Sequence, residues 1–286
     1  MGRILNNSMN DNRQIYNEYV IGLFNRAASS YDRVGPRFFS YFGNRLVELA
    51  EVSNGASVLD VGCGRGEILF PSAEKVGTLG QVVGIDFAEE MVQQTASEVE
   101  SRQLLNAQVR IMDAETLTFP DASFDFVFWG FALYEFYDPT QALLESFRVL
   151  RPGGVFGVSV WGKKLDARWN CVRSVWRAYR SQRKPEPSGG ISGQWDSTGI
   201  KAFLSNAGFT RIQIIEEEKE FFFKDEEEWW LTEWSHGNRS LYERLDPSVL
   251  EQHKRELLEA VGQLRQDEGI PIIFQMLLIR ADKPKG

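Results

Sequence analysis

The chain has 286 residues, 43% of them hydrophobic and 25% charged, which suits one large domain with a substantial core. Its 32 lysines and arginines against 40 aspartates and glutamates leave a formal charge of −8, which speaks against a nucleic-acid partner, because a duplex binder carries a basic patch. The two cysteines, Cys63 and Cys171, have no CxxC partner, so neither a metal site nor a disulfide framework is expected.

Met1 to Asn12 is polar and lacks the apolar centre of a signal peptide. Asn6 stands where a Met-Gly myristoylation signal wants Ser or Thr. No apolar run is long enough to span a bilayer, so a reduced, cytoplasmic protein is the expectation.

Ile15 to Leu49 reads as helices broken near Gly35-Pro36, a helical cap over residues 10–50. An alternation of strands and helices follows from residue 51 to 161. Ser57 to Val61 reads as a buried strand that runs into Gly62-Cys63-Gly64-Arg65-Gly66, and the next helix is bent or delayed by Pro71. Gln81 to Asp86 is a second strand, Ala88 to Arg102 a helix, Gln108 to Met112 a third strand and Phe124 to Trp129 a fourth. Pro139 to Leu150 is a helix with proline in its first turn, Arg151 to Gly154 a turn, and Val155 to Trp161 a fifth strand. This order implies a parallel sheet with helices on both faces.

The pattern then changes. Asp166 to Lys184 has helical spacing, Lys184 to Gly190 is a loop, and Ser197 to Ala207 is a helix stopped by Gly208. Phe209 to Phe223 and Pro271 to Ala281 read as strands, with a Trp-rich helical stretch from Glu226 to Gln266 between them. The sheet should therefore end in an antiparallel hairpin. Residues 162–195 and 225–268 would be cap insertions, and residues 196–224 and 269–286 the C-terminal part of the core, all in a single domain of 1–286.

The glycine turn after the first strand lets a nucleotide cofactor approach the backbone. Its spacing is GxGxG, and Glu67 stands where a dinucleotide fingerprint needs Gly or Ala. Asp60, two residues before Gly62, would repel a pyrophosphate but suits an ammonium group. Asp86 ends the second strand, where a carboxylate can accept from both ribose hydroxyls. Asp113 ends the third, where it can accept from an adenine amine. One ligand with an amine, a ribose and an adenine but no phosphate answers all three carboxylates. Helix capping is the competing role for Asp113 and Asp86, and Asp60 could act through water or by positioning backbone.

Val58 to Gly66, Val83 to Asp86, Met112-Asp113-Ala114, Phe124 to Val127 and Arg148 to Gly154 occur in order and at proper spacing. Together they resemble the class I methyltransferases, which use S-adenosylmethionine (SAM), in the subgroup of ubiquinone/menaquinone C-methyltransferases and natural-product methyltransferases. The resemblance is strong over about residues 25–161. It implies a Rossmann-like α/β fold with SAM as cofactor. Asp60, Gly62 and Gly64 would line the methionine end, Asp86 would hold the ribose, and Asp113 and Ala114 would flank the adenine. Met91, Trp129 and Gly130 join the cofactor-binding set, as does Tyr31, which matches an N-terminal Tyr-Asp pair that folds over the cofactor. Relatives often carry a histidine after the fourth strand, and this chain has Phe131 to Tyr137 without one.

Methyl transfer is an in-line displacement that asks mainly for alignment and exclusion of water. Trp129, Phe131 and Tyr31 are candidates for cation–π contact with the sulfonium. Candidates for handling a proton are His236, Glu135 and Tyr134, while His253 is expected on an exposed helix face. The tryptophan-rich cap favours a small apolar or planar acceptor, as in secondary metabolism. A SAM-fold protein that binds cofactor but works as a non-methylating, pericyclase-like scaffold is the alternative, and a homo-oligomer through the N-terminal helices stays open.

Overall fold

Apolar side chains at consecutive positions make sense only in a strand covered on both faces. All five residues of β1 (Ser57–Val61) are buried. The computed structural model describes residues 2–190 and 195–285, so residues 191–194 of the expected 162–195 insertion lie outside it, as do residues 1 and 286. Around β1 stand β2 (Gln81–Asp86), β3 (Ala107–Ile111), β4 (Phe124–Gly130), β5 (Leu150–Trp161), β6 (Thr210–Phe223) and β7 (Ile270–Asp282). They form one sheet in the order β3-β2-β1-β4-β5-β7-β6. The first five are parallel, and β7 runs antiparallel to both β5 and β6, giving the expected terminal hairpin.

Ten α-helices accompany the sheet among the described residues: α1 (Gly2–Ala27), α2 (Phe38–Ala50), α3 (Leu69–Val76), α4 (Glu89–Ser101), α5 (Pro139–Val149), α6 (Asn170–Ala178), α7 (Ser197–Asn206), α8 (Glu226–Trp234), α9 (Arg239–Glu243) and α10 (Pro247–Gly262). Strand alternation divides the core. Leu59, Val61, Trp129 and Phe156 face α5 and α7, meeting Leu143 and Leu204. Val58, Phe126 and Phe128 face α2, α3 and α4, meeting Phe42, Leu46, Leu69 and Val99. Each such side chain contributes roughly 1.5–3 kcal/mol on burial. A third core lies under the cap, where Trp169 and Val172 pack with Trp229, Trp230, Tyr242 and Leu257.

Several boundaries moved for local reasons. The expected turn at Arg151 to Gly154 is instead the start of β5, accommodated by a shift of register between Phe124 and Phe126. The helix expected over Asp166 to Lys184 keeps only Asn170–Ala178 as α-helix, flanked by single 3₁₀ turns. The stretch from Glu226 to Gln266 divides into α8, α9 and α10, the last beginning at Pro247 after the Asp246 cap position. On α10, His253 is fully buried and stacks on Tyr179 at 4.2 Å, not exposed as expected. Strand order reverses between β1 and β4, the place where open α/β sheets open a crevice at their carboxyl ends.

Candidate active site

Above that crevice lies a cavity of about 890 Å³, walled by the glycine loop, α1, the exit of β4 and the cap. At the floor, Gly62 has φ +68°, and a methyl there would sit 2.6 Å from Ala132 Cβ, so only glycine fits. Asp86 is held by the loop it serves: Gly64 N–H donates to its Oδ2 at 2.9 Å and Ala88 N–H to its Oδ1 at 2.8 Å. Burial pushes this carboxyl above its usual range, and the backbone donors of Ala88, Gly64 and Phe87 oppose the rise. Met91, Ala114 and Gly130 line the same end, and a methyl on Gly130 would collide with Ile68 Cδ1 at 2.7 Å.

Tyr31 sits over the glycine loop, 3.6 Å from where a Gly64 methyl would be, and its ring stacks on Phe39 at 5.1 Å. Its neighbour Asp32 anchors it, because that carboxylate accepts the N–H groups of Phe39 and Ser40 at the start of α2. Asp113 does cap locally, accepting Glu115 N–H at 2.9 Å, and its Oδ2 also accepts from Arg13 on α1 at 2.9 Å. Arg13 reaches Glu115 as well, at 3.1 Å, which ties α1 to the turn after β3.

Two of the expected cofactor residues stand apart from the cavity. Asp60 lies beneath the loop, 1% exposed, with Oδ2 lacking any partner. Burial first, and then Glu67 and Asp86, raise its carboxyl well above the usual range. An orphaned buried carboxyl directly beneath the glycine loop is the kind of group that would favour a cationic end of a ligand bound above that loop. Trp129 is a correction: its side chain points to the α5 face, where Nε1 donates to Ser146 Oγ at 3.1 Å and the ring packs on Phe136 and Phe156. Phe131, two residues on, takes the cavity wall against Phe39 and Trp161.

The cap end gathers Glu135, Tyr134 and His236, the three proton-handling candidates, around one space. Tyr134 Oη accepts Trp161 N–H at 3.0 Å, and burial lifts the phenol to about 12. His236 is 8% exposed; its Nδ1 accepts Asn238 N–H at 3.4 Å, and burial lowers the imidazole to about 4. Glu135 is pushed up to about 7 by burial, then by Glu186 and Asp86. Sequence reasoning missed Glu233, on α8 and facing the same cavity, although its spacing from Trp229 and Trp230 marks it as inward-facing. It also missed Glu186 and Arg13, whose roles depend on contacts with distant parts of the chain.

Comparison with known proteins follows the same outline. Residues 52–187 match the family described as methyltransferase domain. The aklanonic acid methyltransferase DauC of Streptomyces sp. (strain C5) is 43% identical over 139 residues, 49% of this chain and 63% of that one. Nocamycin O-methyltransferase of Saccharothrix syringae is 43% identical over 137 residues, 48% of this chain and 49% of that one. Demethylmenaquinone methyltransferase of Listeria welshimeri is 36% identical over 141 residues, 48% of this chain and 60% of that one. The match thus spans about half to just under two thirds of these relatives. Among solved structures, the YcgJ protein of Bacillus subtilis superposes with a TM-score of 0.57 at 21% identity, over 86% of this chain and all of that one. The [4+2]-cyclase SpnF gives 0.55 at 21% identity, over 86% of this chain and 82% of that one. Glycine loop, strand-end carboxylates and sheet order agree with these comparisons: residues 52–187 are similar to the methyltransferase domain family, and the chain shares the fold of these solved structures.

Proposed function

We propose that the chain transfers a methyl group from SAM to a small acceptor with an apolar or planar body, in the manner of natural-product methyltransferases. The observation that carries the reading is the single cavity running from Asp86 and the glycine loop to an aromatic wall of Phe39, Phe131, Trp161 and Trp169. Bound SAM supplies a methyl group already activated on a sulfonium, so alignment and dryness are the protein's main tasks. Tyr31 and Phe131 line this cavity and offer ring faces to positive charge.

Glu135 is the residue best suited to take a proton from the acceptor. Its carboxyl is balanced near neutral pH, where a general base works best. The buried phenol of Tyr134 is too weak an acid to be ionised there, and it is occupied by Trp161 N–H. His236 stays neutral with Nδ1 engaged, which leaves Nε2–H as a donor to the acceptor. A small-molecule acceptor rather than nucleic acid agrees with the net charge of −8. No helix among the described residues is long and apolar enough to cross a membrane; a cytoplasmic site of action and contacts between N-terminal helices of two copies complete the proposal.

Calorimetric titration with SAM, S-adenosylhomocysteine and NAD tests the cofactor, and transfer of labelled methyl to a panel of planar metabolites tests the activity. Micromolar binding of the first two with silence for NAD is expected. Binding without transfer to any acceptor would favour the non-methylating scaffold.

A further inference from the structure

On the wall away from the glycine loop, two carboxyl groups reach the cavity with no ion-pair partner among the described residues: Glu135, just after the exit of β4, and Glu233, in the last turn of α8. Glu233 is 6% exposed and its seat is built with care. Tyr242 Oη donates to its Oε2 at 2.8 Å, and Asn238 Nδ2 donates to the same oxygen at 2.9 Å. Trp176 Nε1 in turn donates to Tyr242 Oη at 3.1 Å. These bonds fix the carboxyl from behind and leave Oε1 for whatever fills the cavity.

The neighbours of Glu233 are aromatic. Trp176 and Trp229 line the cavity beside it, 6.4 Å apart between ring centroids, and Trp169 lies 5.9 Å from Trp229. His236, nine-tenths buried, opens on the same space with only Nδ1 engaged. A carboxylate in such surroundings is costly without a counter-charge, and a neutral acceptor would leave it so. An anionic acceptor would be repelled. A cation would be drawn by the carboxylate and by the faces of the rings together. The cofactor is held at the other end, and Glu233 makes no hydrogen bond to the glycine loop, so the cation that matches it belongs to the acceptor.

We infer that the methyl acceptor carries a protonated amine, seated against Glu233 between Trp176 and Trp229, on a planar body lying along Phe39 and Trp161. This rests on the methyltransferase reading, because it assigns the cap end of the cavity to the acceptor. The subsite selects the acceptor class and takes no part in the displacement itself.

The test uses the full chain saturated with S-adenosylhomocysteine and two probes of the same shape, tryptamine and its neutral isostere 3-propylindole, titrated calorimetrically. Tryptamine should bind about tenfold more tightly than 3-propylindole. In Glu233→Gln, which keeps the shape and an acceptor for Tyr242, the two should differ by less than about twofold. Equal affinities in the wild type, a preference that survives in Glu233→Gln, or failure of both probes to bind would each overturn the inference. The S-adenosylhomocysteine affinity, read first in both proteins, reports correct folding. Its absence in the wild type would sink the methyltransferase reading instead, so the two failures are told apart.

Discussion

At one end of the cavity most of the working groups come from a short stretch of chain, Gly62 to Ala114, in the turns after β1, β2 and β3 and on the first turn of α4, with Asp86 and Asp113 tied to backbone. At the other end they come from α2, the exit of β4, β5, α6 and α8 with the turn after it, and are held by side-chain contacts between these elements. The first end is made by local geometry: once β1 and β2 pair, Gly64 N–H and Asp86 meet. The second exists only when the cap has docked. Under the proposed function, recognition of the cofactor is thus part of the sheet's own construction, whereas recognition of the acceptor is a product of tertiary packing and can vary without disturbing the sheet.

This contrast can be broken by experiment. The largest effect should follow Glu135→Gln, which is expected to cut the methyl-transfer rate by about a thousandfold while leaving S-adenosylhomocysteine affinity within about threefold. In the wild type the rate should rise as pH increases through about 7, where Glu135 loses its proton, and the residual rate of the variant should lack that limb. Equal losses of affinity and rate would mean that the two ends are not separable. Next, Asp86→Ala should weaken S-adenosylhomocysteine binding by about a hundredfold, the scale of lost charge-assisted hydrogen bonds; calorimetry reads it directly.

Stability should report the cap end in a different way. Glu233 sits at about 7 in the folded protein against a usual 4.5, because burial outweighs its two hydrogen bonds. Between those values the folded chain keeps a proton that the unfolded chain has released. The contribution is therefore full below about pH 4.5 and is lost as pH rises through 7. Denaturation by urea at pH 5 and pH 8 should show about 2 kcal/mol of this dependence vanish in Glu233→Gln. An unchanged dependence would place the carboxyl in water rather than in the cap. The smallest effect is expected for Arg13→Ala, which unties α1 from Asp113 and Glu115. It should lower S-adenosylhomocysteine affinity by no more than about fivefold, since the pair is partly exposed.

The same contrast explains what could be read from the residues alone. The placement of Asp86 beside the glycine loop was legible because it follows from position on a strand, and the terminal hairpin followed from alternation in Phe209 to Phe223. Trp129 was misplaced because the strand's two-residue period was not followed to its end: Phe128 and Trp129 face opposite sides, and the cavity begins only at Gly130. His253 was expected in water because its neighbours Glu251, Gln252, Lys254 and Arg255 are polar, yet it falls on the face of α10 that meets Tyr179 and Tyr242. Glu233 drew no notice because a glutamate in a helix is ordinary until its surroundings are known.

The hairpin of β6 and β7 carries one more consequence. Phe223 and Ile270, the residues where α8 to α10 depart and return, are paired neighbours in the sheet. A segment that leaves and re-enters at adjacent points interrupts no strand pairing, and its ties to the rest, such as Arg26 of α1 to Glu243 and Phe38 of α2 to His236, are made by side chains. Residues 224–269 are in effect an exchangeable insert, and under the proposed function a segment of different length and lining grafted at the same junction would change the acceptor while β1 to β5 keep their pairing.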